Sequence, residues 1–141
     1  MYARRMLGLD DADKMVDAII AHTRKEKGVP ISIAVVDYRG DLIKFVRMDG
    51  ASWNSIRMAQ AKAYSAAKFR RDTSTVAAWQ SDNNIQLADW TDPGVTSLGG
   101  GVCVWDEQAS PRVVIGAVAV SGWPQTEIDE AYAKVGVAAL G

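Results

Sequence analysis

The residues able to do chemistry in this chain are a few charges set beside small residues and glycines. Lys62 stands between Ala61 and Ala63 in a segment made largely of small and apolar residues. Burial of an amine there would lower its pKa and make it a base or an amine nucleophile. Kept charged, it would instead hold a substrate carboxylate, or pair with Asp49 or Asp129 across the fold. Arg47 and Asp49 flank Met48, so on a strand both point to one face. They read either as a bidentate clamp on an acidic substrate with Asp49 as acid or base, or as an ion pair holding a hairpin end against a helix. Gly99, Gly100 and Gly101 can offer backbone N–H groups to an anion or oxyanion, or can serve as a flexible entry to a strand. The run lacks the Gly-Lys-Ser/Thr ending of a phosphate-binding loop. Asp129 lies with Glu127 and Glu130 in the first turn of a C-terminal helix, where the helix dipole favours carboxylates. From there Asp129 could reach the glycine run. Glu127 and Glu130 share a face and suit at most a weakly held divalent cation.

His22 is the only histidine, which argues against Ser-His-Asp catalysis and a three-histidine zinc site. Cys103 is the only cysteine and lies in the apolar run Val102-Cys103-Val104-Trp105, so it reads as a buried, inert thiol with no disulfide partner. No dedicated metal site is expected. Trp53, Trp90 and Trp123 fall in or beside expected loops and read as a ligand-pocket wall or an oligomer interface.

The elements that must position these groups follow from periodicity and punctuation. Asp10 is placed to cap a first helix, carried by Met15, Ala18, Ile19 and His22 to about residue 27, where Gly28 and Pro30 stop it. Residues 31–38 and 42–48 read as a hairpin turning at Arg39-Gly40-Asp41. A second helix starts at Asn54 or Ser55 and is populated by small residues. A short third helix lies around 76–80, capped by Thr73 or Ser74. Residues 81–101 look loop-like, with partial order at 85–90, and a loop of that length is usually functional or mobile. Residues 102–106 and 113–121 are two further strands. Pro124 suits the first turn of the last helix, whose buried stripe is Ile128, Ala131, Tyr132, Val135 and Ala139. The order α, ββ, αα, ββ, α predicts an α+β domain with an antiparallel sheet and helices packed on its faces.

With 141 residues the expectation is a single domain, 1–141, large enough for a real core. A net charge of −1 speaks against nucleic acid as a partner. The N-terminal residues lack the apolar stretch of a signal peptide, and no apolar run is long enough to span a membrane, so the expected location is cytoplasmic.

Ala34-Val35-Val36-Asp37, Gly40, Arg47-Met48-Asp49-Gly50-Ala51, Lys62-Ala63, Ser65-Ala66 and Phe69 together resemble the GlcG/HbpS family, to which the C-terminal domain of PduO-type proteins also belongs. The triple glycine, Ile115-Gly116-Ala117-Val118, Val120-Ser121-Gly122 and Asp129 extend the resemblance over residues 10–140. It implies a compact α+β fold, assembly into dimers or larger homo-oligomers, and, in some relatives, haem as cofactor. A first-helix histidine is a haem ligand in part of the family, which makes His22 the candidate ligand here, although its place on the apolar stripe favours a packed, hydrogen-bonded histidine. The resemblance also marks Lys62 and Asp129. Val102-Cys103 stands where the family commonly has Pro-Ile, Ala119 where it often has a glycine, and Trp123-Pro124 where it has small residues, which together imply a different pocket wall. The resulting expectation is a small-ligand-binding protein of the GlcG/HbpS type. The alternative is a cofactor-independent isomerase, hydratase or lyase acting on a small carboxylic or cyclic metabolite in a catabolic pathway, with Lys62 as base or Schiff-base amine, Arg47 as carboxylate clamp and the glycine run as oxyanion site.

Overall fold

Alternation along the strands sorts the core into two unlike halves. A computed structural model describes residues 1–141, with strands β1 (Ser32–Asp37), β2 (Leu42–Arg47), β3 (Gly101–Asp106) and β4 (Val113–Ser121). They form one sheet in the order β2-β1-β4-β3, every neighbouring pair antiparallel. Ile33 and Val35 of β1, Val102 and Val104 of β3, and Val118 and Val120 of β4 face one side. Ala34 and Val36, Cys103, and Ala117 and Ala119 face the other. The expected α+β class and antiparallel sheet are therefore what the chain builds.

The branched side takes α1 (Leu9–Lys25) and α4 (Thr126–Ala138), through Met15, Val16, Ile19, Tyr132 and Ala133. The alanine side takes α2 (Trp53–Phe69), which lays Ala59, Ala63, Ala66 and Ala67 on it. Small residues on both surfaces let helix and sheet approach closely. Cys103 lies there, its Sγ 3.2 Å from the Ala66 carbonyl oxygen, and burial pushes its thiol pKa up to about 12. It is held as an inert thiol. A short α3 (Val76–Asp82) and 3-10 turns at Thr73–Thr75 and Leu87–Trp90 lead back to β3.

Helix starts differ from the sequence reading for local reasons. Gly8, not Asp10, precedes α1, and its N–H donates to the Asp11 carboxylate at 2.9 Å. Asp10 sits inside the first turn, where the dipole favours it equally well. Ser52 caps α2, its hydroxyl accepting from the Ser55 N–H. Asp72 precedes the 3-10 turn that Thr73 and Ser74 join, and Thr75 precedes α3. Pro124 stays outside α4, whose N-cap is Gln125.

Candidate functional site

Lys62 projects from α2 on one face of the sheet and meets Asp129 of α4, which packs on the opposite face. Its Nζ lies 3.0 Å from Asp129 Oδ2 and 3.3 Å from the Val120 carbonyl oxygen. The two side chains are 3% and 1% exposed, so no solvent reaches the pair. The connection is possible because β3 is an edge strand that begins with glycines. A Cβ at Gly100 (φ +125°) would lie 2.7 Å from the Val120 oxygen, 2.9 Å from Lys62 Nζ and 3.1 Å from Asp129 Cβ. One at Gly101 would lie 2.3 Å from the Lys62 carbonyl oxygen. Glycine is required at both positions because no side-chain atom fits between the strand and its neighbours. Gly99 is likewise tight against Thr126 and Ser74. Burial raises the Asp129 pKa, against the pull of Lys62 and of the Trp123 and Gly122 N–H groups.

The Lys62–Asp129 pair is tied to an aromatic train. Asp129 Oδ1 accepts from the backbone N–H of Trp123 at 3.0 Å, fixing the turn between β4 and α4. The Trp123 ring meets the Tyr132 ring edge-on at 6.0 Å, and Tyr132 meets His22 edge-on at 4.7 Å. Gly28 closes the group: a Cβ there would lie 2.6 Å from the Tyr132 hydroxyl and 3.1 Å from the Trp123 ring. Burial raises the Tyr132 pKa and Glu26 adds to the rise. The Trp123 indole N–H is close enough to oppose that shift, yet it is buried and not aligned for any hydrogen bond. His22 is half-buried, on the side of α1 that meets α4.

Register brings the remaining predicted residues to the same end of the sheet. Arg47 pairs with Ser32, Ser32 pairs with Ser121, and a Cβ at Gly50 would touch Pro30. Arg47 and Asp49 are exposed there and make no ion pair within the chain. Trp53, at the start of α2, is 90% exposed. Lys62, Asp129, the glycine run, Trp123 and His22 thus form one connected structure, while Arg47 and Asp49 lie on the surface. Trp90 instead stacks on Trp79 at 5.6 Å, touches Phe69 and donates to Gln80, filling a satellite cluster. Glu130 accepts from Ser74 rather than joining Glu127 at an ion, and no group of three or more acidic, His or Cys side chains converges on a metal position.

A second charged cluster escaped the sequence reading. Asp92, in the loop before β3, accepts from the Tyr64 hydroxyl at 2.5 Å, from Lys68 Nζ at 2.7 Å and from the Gly94 N–H at 2.9 Å. These donors, Lys68 foremost, lower its pKa to about 2. The hydrogen bond to Asp92 in turn raises the pKa of Tyr64. Asp92-Pro93-Gly94 has the composition of a turn, and Tyr64 and Lys68 stand four residues apart on α2. Nothing in the sequence brought the two together.

No helix is long and apolar enough to cross a membrane. The family model described as "Haem degrading protein HbpS-like" matches residues 7–138. Protein GlcG of Escherichia coli K12 is 39% identical over 114 residues, covering 78% of this chain and 80% of the relative. Among solved structures, a double mutant of Streptomyces reticuli HbpS superposes with a TM-score of 0.86 at 30% identity, covering all of this chain and 91% of that one. The crystal structure described as a PduOC–haem complex matches with a TM-score of 0.81 at 23% identity, over 95% of this chain and 94% of that one, a likeness of fold. A model spanning nearly the whole chain and a relative at this identity leave one conclusion, that the chain belongs to the GlcG/HbpS family.

Proposed function

We propose that the protein binds a planar small ligand of the haem type on the face formed by His22, Tyr132 and Trp123, where His22 would hold the iron and a second copy of the chain would close the site. The observation that carries this reading is the train from the buried Lys62–Asp129 pair through Trp123 and Tyr132 to His22. A buried ion pair, glycines that admit no side chain and an edge-on aromatic stack hold the only imidazole of the chain at a partly open position. The donor chemistry fits haem: a half-buried imidazole for iron, and an indole N–H with no acceptor of its own beside it. A bound haem would supply a redox-active iron. The description of the matching family model, and the haem complex of a protein with the same fold, agree with this choice of ligand.

One protomer supplies only part of such a site. None of the four principal cavities is lined by His22. At this end of the sheet the exposed Trp53 and Asp49 are groups a second copy would meet, and the unpaired Arg47 is the group the ligand carboxylates would meet. In this reading Lys62, Asp129 and Gly99 to Gly101 position Trp123 and do not touch ligand, and the protein works in the cytoplasm.

A haem titration followed in the visible region tests it, on the native chain and on His22→Ala. The expected result is a sharp Soret band that saturates at a fixed stoichiometry and is lost in His22→Ala. A broad, unsaturable change that is the same in both proteins overturns the proposal.

A further inference from the structure

The largest of the four principal cavities lies away from His22. It is an open cleft of about 840 Å³ running along α2 from Ile56 to Tyr64, about 12 Å of helix. The end of the β1–β2 hairpin forms one wall through Val36, Gly40 and Leu42, and the loop 92–96 forms the other. This volume is in the range of small-molecule sites, which are largely apolar with a few placed polar groups.

Three features show that the cleft is built. First, the Tyr64 ring is clamped between two glycines. A Cβ at Gly40 (φ +88°) would lie 2.6 Å from its Cδ1, and one at Gly94 would lie 3.4 Å from its Cε2. Second, the loop wall is pinned to α2, since Asp92 takes three hydrogen bonds from Tyr64, Lys68 and the Gly94 N–H, and the Thr96 N–H donates to Ser65 Oγ at 2.8 Å. Third, an apolar lip stays open: Leu42 is 51% exposed at the cleft edge.

The charges select the ligand. Asp92 is ionised, but Lys68 balances it. Arg57 also lines the cleft, one residue on from Ile56, and has no carboxylate partner anywhere in the chain. The lining charges are thus Asp92, neutralised by Lys68 from outside the lining, and Arg57, whose guanidinium stays unpaired beside the side chains of Leu42, Ile56, Met58, Pro93 and Val95. A guanidinium presents a planar fork that matches a carboxylate. From this we infer that the cleft is a second binding site, for a small monocarboxylate with a flat or aliphatic apolar body, its carboxylate on Arg57 and its body against the hairpin wall. A dicarboxylate would bring its second charge toward Asp92, and an uncharged ligand would leave Arg57 unused. The site does not depend on His22 or on any copy of the chain beyond the first.

Titration of the native protein with naphthoate, and separately with octanoate, tests the proposal by calorimetry and by amide chemical shifts. Naphthylmethanol is the uncharged control, and Arg57→Gln, an exposed substitution, should leave the fold intact. The expected result is saturable shifts confined to Gly40, the Gln60–Tyr64 turn and Gly94 to Thr96, with affinity for the acids reduced tenfold or more in Arg57→Gln. His22→Ala should bind the acids as the native chain does, so failure of the haem reading leaves this result untouched. Absence of saturable shifts with both acids overturns the proposal. So does equal binding of naphthylmethanol, or affinity unchanged in Arg57→Gln.

Discussion

Helix α2 carries two lysine–aspartate pairs six residues apart, and they do opposite work. Lys62 meets Asp129 with both side chains sealed from solvent, 3% and 1% exposed. Lys68 meets Asp92 at a similar distance, with the side chains 32% and 21% exposed. The sealed pair joins helices on opposite faces of the sheet through a gap that only glycine can leave. The open pair pins a loop to form the wall of a cleft. Burial, not residue type, decides which pair is structural and which borders a site. Burial raises the pKa of Asp129, whereas hydrogen bonds in the open set lower that of Asp92.

Breaking the sealed pair should have the largest effect. Asp129→Asn keeps an oxygen for the Trp123 N–H but leaves the Lys62 ammonium buried without a counter-charge. Removing one partner of a buried pair costs about 3–5 kcal/mol, which for a domain of this size lowers the melting temperature by roughly 10 °C or more. Lys62→Met/Asp129→Asn removes both charges and should be more stable than Asp129→Asn alone. Thermal and urea unfolding of the singles and the double decide this. Simple additivity of the two singles would show that the pair is not coupled.

Gly100→Ala attacks the same region without changing a charge. The new Cβ would press on the Val120 carbonyl and on Lys62 Nζ, at a backbone φ of +125° that L residues rarely adopt. A loss of about 2–3 kcal/mol is expected from strain and displacement together, read from the urea midpoint. Asp129 and Trp123 would shift with it. If haem binds at His22, the Soret band of Gly100→Ala should broaden even in the protein that remains folded. An unchanged band would cut the link between glycine run and His22.

These residues were legible for different reasons. Lys62 stood out as a charge among alanines, and the same alanines that drew attention to it are what lay α2 on the sheet. Asp49 and Asp129 are both partners that the sequence offers for Lys62, and only the fold decides for Asp129. The strands followed from β-branched runs and turns, and β4 was bounded correctly at both ends. Helix starts were harder, because Asp10 is as favourable inside a first turn as at its cap, and Pro124 is tolerated just before a helix as well as in it. The Asp92 cluster had no periodic signal. Its loop returns to α2 through side-chain hydrogen bonds across 24 and 28 residues of sequence, which no local pattern encodes. For the same reason Trp90 reads as a pocket wall or an oligomer interface, whereas it packs on Trp79 and Phe69.

The open pair should respond weakly to mutation and clearly to pH. Asp92→Asn at neutral pH should cost less than about 1 kcal/mol, since partly exposed pairs are screened by solvent and salt. The sign of its pH dependence is fixed by the lowered pKa. Asp92 titrates near 2 in the folded chain against an ordinary 3.8, so its contribution is present above about pH 4 and is lost as pH falls toward 2. The urea midpoints of native and Asp92→Asn protein should differ at pH 7 and converge at the acid end. Tyr64 behaves in the opposite sense: its pKa is raised chiefly by the hydrogen bond to Asp92, so that contribution holds below the ordinary phenol range and fades as the pH climbs through the raised value. In Asp92→Asn the phenolate absorbance of Tyr64 should therefore appear at lower pH than in the native chain. A Tyr64 titration that Asp92→Asn leaves in place would mean that Asp92 does not hold this side chain, and the cleft wall would lose the pin that distinguishes it from an ordinary surface loop.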